Sequence, residues 1–517
     1  MAVSTVGRPG VFVSESLTPL VTTPAVPGQA IAAFVGKFDA GPVGPTLISS
    51  WAEWKTYFGG FGDGTSYLPH AVHQYLINGG GSAYVVRAVA ADAVVASVTL
   101  NDVQTTPSSV LTIKALAPGA TGNRLLISIT AAGTDTGRFN VYIREGSSTS
   151  VPVEQYVDVS LNPSDARNLI AMVGAASERG SQYISATYTG TGAWTVKHRP
   201  AEQTATPLAG GLNGTATPDL VAATKLLDAV EPLLTVNLPG VTDPLVINPV
   251  IAWAEASGNR FVVVDSPRAA ATYASTVTDF KNVSPLGTSS GTPYTLSSYA
   301  AVYGPWLHCQ DPSSQAVGAT RVLPPGGAML GLFAQADAGA GTQQSPAGAD
   351  FPLRGAVAPE VRFQNADLDT LNELGINIIR SVPGSEGLIP MGSRTLKAGR
   401  PDRYVAIRRT LMYVTRLVTE ATNFAVFRPN SEDLWGQITS LLQDQLSALQ
   451  QARVLRGATA AEAFYVVCDA TNNTPNSVAN GAVNIEIGLS LTTPAEFVVI
   501  KIGQMASGAT AEDSLAS

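Results

Sequence analysis

Two short motifs near residue 60 combine residue types that can bind metals or phosphates. His70 and His73 are three residues apart, a spacing that places both imidazoles on one face of a helix. No cysteine or glutamate nearby completes a zinc ligand set, so we predict a structural pair and no metal site. The segment 59–64, Gly-Gly-Phe-Gly-Asp-Gly, lacks the glycine spacing and the following Lys-Ser/Thr of a phosphate loop. We predict a turn packed on aromatic side chains.

A serine motif lies further along the chain. The segment 287–291, Gly-Thr-Ser-Ser-Gly, is similar to the serine loop of subtilisin-like proteases, and Asp265 ends an apolar segment before it. A catalytic serine needs a histidine to accept its proton, and in these proteases the histidine stands between the aspartate and the serine. The four histidines lie elsewhere, at positions 70, 73, 198 and 308. We therefore predict that the chain is not an enzyme and has no catalytic residue and no cofactor.

Arginines are concentrated between about residues 350 and 430. Basic residues there could contact phosphates, but acidic residues are interspersed and no aromatic stacking pattern accompanies them. The whole chain carries 31 Lys and Arg against 39 Asp and Glu, a net charge of −8, which argues against non-specific nucleic-acid binding. Salt bridges within or between subunits are the prediction. The arginines concerned are Arg354, Arg362, Arg380, Arg394, Arg408, Arg409 and Arg416.

Composition indicates a large protein of several domains. The 517 residues correspond to about three or four domains at roughly 150 residues each. Only 14% of the residues are charged, which is typical of a surface that faces other protein chains. The two cysteines, Cys309 and Cys468, fit a reducing compartment. We see no signal peptide at the N-terminus and no apolar run long enough to span a membrane, so we expect assembly in the cytoplasm.

Strand and helix signals alternate, which favours mixed α/β (α+β) domains. Short apolar segments predict strands at 11–13, 83–87, 125–129, 139–143 and 261–265, and helical periodicity appears at 217–230 and 368–375. The clearest helix is predicted over 431–456, with Gly457 as its stop, and a second over 402–419. Glycine-rich segments at 209–214 and 337–349 predict loops or linkers.

Both ends of the chain carry apolar extended segments. The N-terminal one lies among four prolines within residues 1–27, and the C-terminal one covers 495–504. An isolated strand must pair with a distant part of its own chain or with another molecule, and the sequence leaves both choices open. The residues expected in these arms are Pro9, Gly10, Val11, Phe12, Val13, Glu15, Phe497, Val498, Val499, Ile500 and Ile502.

Ordered motifs along the chain resemble the sheath proteins of contractile phage tails and contractile injection systems. They begin with Arg8-Pro-Gly-Val-Phe-Val-Ser-Glu15 and Trp54-Lys-Thr-Tyr-Phe-Gly-Gly60, and continue with Pro118-Gly-Ala-Thr-Gly-Asn123 and Ser298-Tyr-Ala-Ala-Val-Tyr-Gly-Pro-Trp306. Leu323-Pro-Pro-Gly-Gly327, Gly331-Leu-Phe-Ala-Gln-Ala-Asp337, Phe464-Tyr-Val-Val-Cys-Asp469 and Pro494-Ala-Glu-Phe497 follow. The motifs cover nearly the whole chain. Within them we single out Trp306, Arg394, Arg408 and Arg409 as structural or assembly residues.

The resemblance implies a multi-domain architecture. The expected parts are an N-terminal linker arm (1–27), a tube-proximal core (28–90 with 350–494), an inserted β-rich outer domain (91–210), a subtilisin-like non-catalytic domain (211–349) and a C-terminal strand and tail (495–517).

The resemblance also implies a function. The subunit is expected to form a six-fold helical homo-oligomer around an inner tube protein, with baseplate and terminator or cap proteins as further partners and neither nucleic acid nor membrane insertion. Strands exchanged at both ends would link subunits during contraction, which drives the tube through a target envelope. A surface-layer or capsid-like protein, and a serine hydrolase, remain the alternatives.

Overall fold

The computed structural model describes residues 30–133, 137–174, 180–191, 194–287, 291–399, 403–494 and 496, together with the backbone of Thr23–Pro24. The predicted arm residues Pro9 to Glu15 and Phe497 to Ile502 lie outside the described residues, as does Ser289 of the serine motif.

The described strands are β1 Thr23–Pro24, β2 Ile31–Lys37, β3 Thr46–Ile48, β4 Ala83–Ala88, β5 Ser97–Asn101, β6 Ser109–Ala115, β7 Leu125–Ala131, β8 Phe139–Glu145, β9 Glu154–Val159, β10 Ile184–Tyr188, β11 Gln203–Pro207, β12 Leu234–Asn237, β13 Arg260–Asp265, β14 Ala300–Gly304, β15 Leu307–Gln310, β16 Thr320–Leu323, β17 Ala356–Pro359, β18 Ile376–Ser381, β19 Leu388–Met391, β20 Val454–Leu455, β21 Phe464–Val467 and β22 Glu486–Leu489. The helices are α1 Trp51–Phe58, α2 Leu68–Ile77, α3 Leu169–Val173, α4 Leu220–Lys225, α5 Pro244–Ser257, α6 Tyr273–Val283, α7 Gly326–Gly339, α8 Asn365–Glu373, α9 Val405–Thr422, α10 Glu432–Gln451, α11 Ala460–Ala463 and α12 Pro475–Ala479. Short 3-10 turns lie at Ala120–Arg124, Val196–His198, Leu226–Ala229 and Asn423–Ala425.

One large sheet forms the centre of the molecule. Its eight described strands run in the order β19-β18-β14-β13-β12-β2-β4-β3. Pairing is parallel from β18 to β4, while the edge strands β19 and β3 are antiparallel. Every residue of β13 and β14 is buried, because helices cover both faces of the sheet, as they do in parallel sheets generally. The predicted mixed α/β class is confirmed.

The central sheet joins segments that were expected in two different domains. Strands β2 and β4 come from the predicted tube-proximal core, yet β2 pairs with β12 of the predicted subtilisin-like domain. A single apolar core extends from Ala32 to Met412 and includes residues of both the predicted tube-proximal core (28–90 with 350–494) and the predicted subtilisin-like domain (211–349). The physical reason is pairing: β2 is a buried central strand and needs a neighbour on each side, which β12 and β4 provide.

The inserted segment has its own core. Strands β10-β6-β5 form one sheet and β11-β7-β8-β9 another, and their inward side chains make a separate apolar cluster between Ala96 and Leu208. The cluster lies within residues 91–210, and the assignment of this range to an outer domain stays a prediction. The segment 209–214 is not a free linker, because Ala209 and Leu212 pair with Ser97 and Val94 at the root of the domain.

A third apolar cluster gathers the C-terminal helices and strands. Helical periodicity places six side chains of α10 on one apolar face: Leu434, Ile438, Leu441, Leu442, Leu446 and Leu449. All of them are buried except Leu441, which is only partly buried. The predicted end of this helix at Gly457 is wrong. The helix ends at Gln451 with Ala452 as its C-cap, Arg453 adopts a left-handed φ of 66°, and the chain enters β20. Val454 and Leu455, which the helical pattern assigns to a last helical turn, form β20 instead, because they pair with β1.

Two further predicted element boundaries also differ from the structure. The second helix runs over Val405–Thr422 instead of 402–419. Leu411, which the periodicity places on its apolar face, is only partly buried, while Arg408 and Arg409 are buried. The predicted loop at 337–349 begins inside α7, which continues to Gly339.

Candidate assembly residues and their geometry

At its N-terminal end, the described part of the chain makes two short backbone contacts with the rest of the subunit. The backbone of Thr23–Pro24 pairs antiparallel with β20, and the Ile31 amide donates to the Leu233 carbonyl over 2.9 Å at the start of the central sheet. Six residues therefore separate a strand on the C-terminal cluster from a strand of the central sheet. The N-terminal segment ties these two parts together.

Arg409 makes a buried ion pair immediately beside this entry point. Its guanidinium lies 2.5 Å from Asp337 Oδ2, and the two side chains are only 3% and 1% exposed. The guanidinium also lies over the Phe333 ring, 4.6 Å from the centroid. Burial raises the pKa of Asp337, while Arg409 and a backbone hydrogen bond from Ala30 act to lower it. For Arg409, the predicted salt bridge therefore forms within the subunit, between α9 and α7.

Arg408 takes a different partner on the same helix. Its guanidinium lies 4.5 Å from the centroid of the Tyr299 ring and donates to the Tyr299 hydroxyl over 3.3 Å. Arg408 is 2% exposed. A cation over an aromatic face is stabilised by the ring's negative quadrupole, so this arginine fastens α9 to the segment that leads into β14.

Arg394 connects the C-terminal segment with the central sheet. It donates from Nε to Glu496 Oε1 over 2.6 Å and from the terminal nitrogen NH2 to Oε2 over 2.5 Å, a bidentate pair. Its other terminal nitrogen donates to the Asn372 carbonyl over 2.7 Å. The backbone amide and carbonyl of Arg394 are both hydrogen-bonded to the side chain of Asn377, a fully buried residue of β18. Glu496 is therefore linked through Arg394 to a strand of the main core.

Trp306 is a buried structural residue at the carboxyl edge of the central sheet. Its indole Nε1 donates to the Ser266 carbonyl over 2.8 Å, and the Tyr67 ring meets it edge-on at 5.0 Å. Arg268 lies over the same indole at 5.3 Å and is held by Glu360. The aromatic ring fills the place where ligands commonly bind in open α/β sheets.

Asp265, the aspartate of the serine motif, is engaged by the fold itself. Its carboxylate accepts from the amides of Gly326 over 2.6 Å and Gly240 over 2.9 Å, and from Asn237 Nδ2 over 3.3 Å. Complete burial raises the pKa of Asp265 to about 6, although these three donors favour the ionised form. The carboxylate caps the first turn of α7 and hydrogen-bonds to no histidine among the described residues.

His70 and His73 pack on aromatic side chains. His70 lies against Phe61 with ring centroids 4.8 Å apart, and His73 meets the same ring at 5.6 Å. His70 Nε2 is 3.8 Å from Asp311 Oδ1, and neither ring nitrogen of His70 forms a hydrogen bond to a described residue. Burial, reinforced by the nearby charge of Arg321, lowers the pKa of His70 to about 4. The neighbouring glycine segment forms the predicted turn, in which Trp54 Nε1 donates to the Gly60 carbonyl over 2.7 Å.

The sequence does not predict three residues as partners of these arginines: Asp337, Glu496 and Tyr299. Asp337 had a recognisable signal, because it is a lone acid in the otherwise apolar and glycine-rich segment of α7, and a buried acid needs a cationic partner. Glu496 and Tyr299 carried no such signal. Within the described ranges, no group of three or more histidine, cysteine or carboxylate residues could hold a metal ion, and no helix is long and apolar enough to cross a membrane.

Family comparisons match most of the chain beyond residue 213. Residues 214–396 match the phage tail sheath protein central domain, and residues 401–504 match the phage tail sheath C-terminal domain. No curated protein sequence matches the chain.

Solved structures extend the similarity to almost the full length. The helical sheath of the anti-feeding prophage in its contracted state is 20% identical, with a TM-score of 0.56 over 97% of this chain and 100% of that one. The sheath tail protein of Listeria innocua is 13% identical, with a TM-score of 0.60 over 90% and 96% of the two chains. The contracted sheath complex of the PVC extracellular contractile injection system is 19% identical, with a TM-score of 0.51 over 98% and 100%. By these sequence and structural matches, the chain belongs to the contractile phage tail sheath family and is a structural sheath subunit of a contractile tail or injection particle.

Proposed function

We propose that this subunit polymerises as stacked six-fold rings around an inner tube and contracts to drive that tube through a target envelope. This proposal rests mainly on the sequence matches to both sheath domains. It is supported by the fold, which is shared over nearly the whole chain with a helical sheath solved in the contracted state. The inner tube, a baseplate and a terminator or cap protein are the proposed partners. Assembly takes place in the bacterial cytoplasm, and no catalysis is involved.

Subunits stay connected by strand exchange at their two ends. The exchanged segments are residues 8–16 and 495–504, and residues 17–29 act as the hinge. The described fold supports this proposal at the C-terminal cluster, where β21 and β22 form a sheet of only two strands among the described residues. A two-stranded sheet presents two edges whose backbone groups can accept a strand from another chain.

Packing energy can supply the work of contraction. If contraction buries an additional ~400 Å² of apolar surface per subunit, the gain is roughly 10 kcal/mol at about 25 cal/mol per Å². Over on the order of a hundred subunits the total approaches ~1000 kcal/mol, so no nucleotide is required. The low proportion of charged residues, 14%, fits extensive lateral contacts between subunits.

Electron microscopy of the expressed full-length protein tests the architecture. We expect tubes with six-fold symmetry, because the proposed contacts close a ring and stack it. Flat sheets would indicate a surface-layer protein, and closed shells a capsid-like protein. Labelling of Ser289 by an active-site serine probe would indicate a hydrolase. Any of these three results contradicts the proposed function.

Deletion of residues 1–20 tests strand exchange. The truncated subunit should fold, with an unfolding midpoint close to that of the full chain, because the described core begins at residue 30 apart from the short β1 contact. We expect it to form no long contractile sheaths in electron micrographs. Normal sheaths that contract like those of the full chain would show that the N-terminal arm is dispensable.

A further inference from the structure

The C-terminal segment leaves the C-terminal cluster and is then fastened to the other main part of the subunit. Strand β22 packs in the cluster built around α10, with Leu489 at its end. Seven residues later, Glu496 contacts Arg394, whose surroundings belong to the central sheet. Residue 496 lies at the start of the proposed exchanged segment 495–504, immediately before its apolar residues 497–502. The contact therefore marks the place where the arm joins the folded body.

The geometry of this contact is that of a strong attachment. Two parallel N–H donors of one guanidinium bind both oxygens of the Glu496 carboxylate, an arrangement that fixes direction as well as distance. Arg394 is 4% exposed at its side chain and Glu496 is 16% exposed, so solvent and salt screen the pair little. The Tyr404 hydroxyl lies 3.4 Å from Glu496 Oε2 and adds a third donor to the same carboxylate.

The arginine is itself held by the central sheet. Asn377 of β18 receives the Arg394 amide at its Oδ1 over 2.7 Å and donates from Nδ2 to the Arg394 carbonyl over 2.8 Å. The same Nδ2 donates to the Val302 carbonyl of the neighbouring strand β14 over 3.0 Å. A continuous series of hydrogen bonds thus runs from the Glu496 carboxylate to two buried strands. Such strands are among the last parts of a domain to open, since they are surrounded by apolar contacts.

We propose that Arg394 and Glu496 form a clamp that transmits the pull of the exchanged C-terminal strand directly to the central sheet. Without the clamp, tension on residues 497–502 would act first on the bridge between Leu455 and Leu491 and then on the two-stranded sheet β21–β22. These contacts comprise few hydrogen bonds and open more easily than the central sheet. Arg394 and Glu496 are positioning residues: their side chains hold the root of the arm and contact no residue of the neighbour in this proposal. This inference rests on the proposed function, because it supposes that the arm is engaged by another subunit.

The test compares Glu496→Ala with a matched control, Glu420→Ala. Glu420 also accepts from an arginine, Arg416, over 2.6 Å, but that pair is exposed and lies within a single helix turn of α9. Two quantities are measured on the purified full-length chain: the thermal unfolding midpoint of the unassembled subunit, and the critical concentration above which polymer sediments. We expect both variants to unfold within a few degrees of each other, while E496A raises the critical concentration on the order of tenfold over E420A.

Two outcomes of this comparison of stability and assembly would overturn the clamp. One is an equal critical concentration for E496A and E420A. The other is a rise in E496A that merely follows an equal loss of subunit stability, since a purely structural contact would move both quantities together. The clamp can also fail separately from the proposed function, because hydrogen exchange of the peptide 484–496 is measured on the unassembled subunit. Faster exchange in E496A than in E420A is expected, and equal exchange contradicts the clamp even if the wild-type chain forms no tubes.

Discussion

At the scale of single residues, buried ionisable groups tie this fold together. Arg87 illustrates the pattern, since its guanidinium donates to the carbonyls of Phe38, Gly41 and Asp39 and, across to the inserted domain, to that of Pro118. A buried cation that satisfies four carbonyls can hold irregular backbone in one conformation. Burial nonetheless lowers the pKa of Arg87 to about 10, which leaves it charged at neutral pH.

His70 predicts a pH dependence of stability. Its folded pKa of about 4 lies below the ordinary value of 6.5, so the folded state binds fewer protons than the unfolded state between these limits. The contribution of neutral His70 to the free energy of unfolding is complete above pH 6.5 and is lost as the pH falls toward 4. At pH 5 the loss is about 2 kcal/mol, from 1.36 kcal/mol per pKa unit.

Denaturant unfolding of the wild-type chain and of His70→Gln at pH 7.5 and pH 5 checks this prediction. The opposite contribution of Asp265, whose pKa is raised, is present in both proteins and cancels in the comparison. The wild-type chain should lose about 2 kcal/mol more than H70Q on acidification. An equal loss in the two proteins would show that His70 is not the titrating group.

At the scale of elements, small residues set the distance between α7 and α2. A methyl group on Gly331 would lie 2.6 Å from Asn78 Cβ and 2.7 Å from the Tyr75 carbonyl oxygen. A methyl group on Gly327 would approach the backbone of Ala71 as closely. The two helices therefore approach so near that a side chain larger than hydrogen does not fit at these positions. The glycine-rich composition of α7 is a packing requirement in this case.

Gly331→Ala should lower the free energy of unfolding by about 1–3 kcal/mol, because the added methyl forces the two helices apart. The matched control is Gly436→Ala in α10, where a methyl group would meet no atom within 4 Å. Alanine favours a helix interior over glycine, so G436A should raise the free energy of unfolding by about 0.5–1 kcal/mol. Denaturant unfolding of both variants measures the difference, and a stabilised G331A would contradict the packing argument.

At the scale of the whole molecule, the separate apolar cores predict separate stabilities. The inserted domain buries its own cluster, and Ile127 on β7 lies within it with no exposed surface. The links to the central sheet are mainly polar, as at Arg87 and Pro118. Local opening of the inserted domain should therefore leave the central sheet intact, as in other proteins whose parts unfold independently.

Ile127→Ala should destabilise the inserted domain by about 2–5 kcal/mol through the cavity it leaves. Hydrogen exchange should accelerate in peptides from β6, β7 and β8 while peptides from β13 and β14 keep wild-type protection. Faster exchange throughout the molecule would show that the two cores unfold as one unit.

The sequence by itself determined the local elements and the family. The strands at 83–87, 125–129, 139–143 and 261–265 are present with bounds that differ by one or two residues, since short β-branched segments between turn residues have few alternatives. The apolar face of α10 was readable for a similar reason, because helical periodicity is a property of neighbouring residues. The missing histidine and the ordered family motifs were also visible in the chain alone.

The tertiary structure decided which distant segments meet. Arg409 and Asp337 are 72 residues apart, and Arg394 and Glu496 are 102 apart, so no local pattern encodes either pair. Likewise, β2 joins β12 across the whole inserted domain, so strands from two predicted domains share one sheet. The end of α10 was decided by the pairing of β20 with β1. In each case a contact between remote residues outweighed the preference of the local sequence, because burial and pairing contribute more free energy than helix or turn propensity.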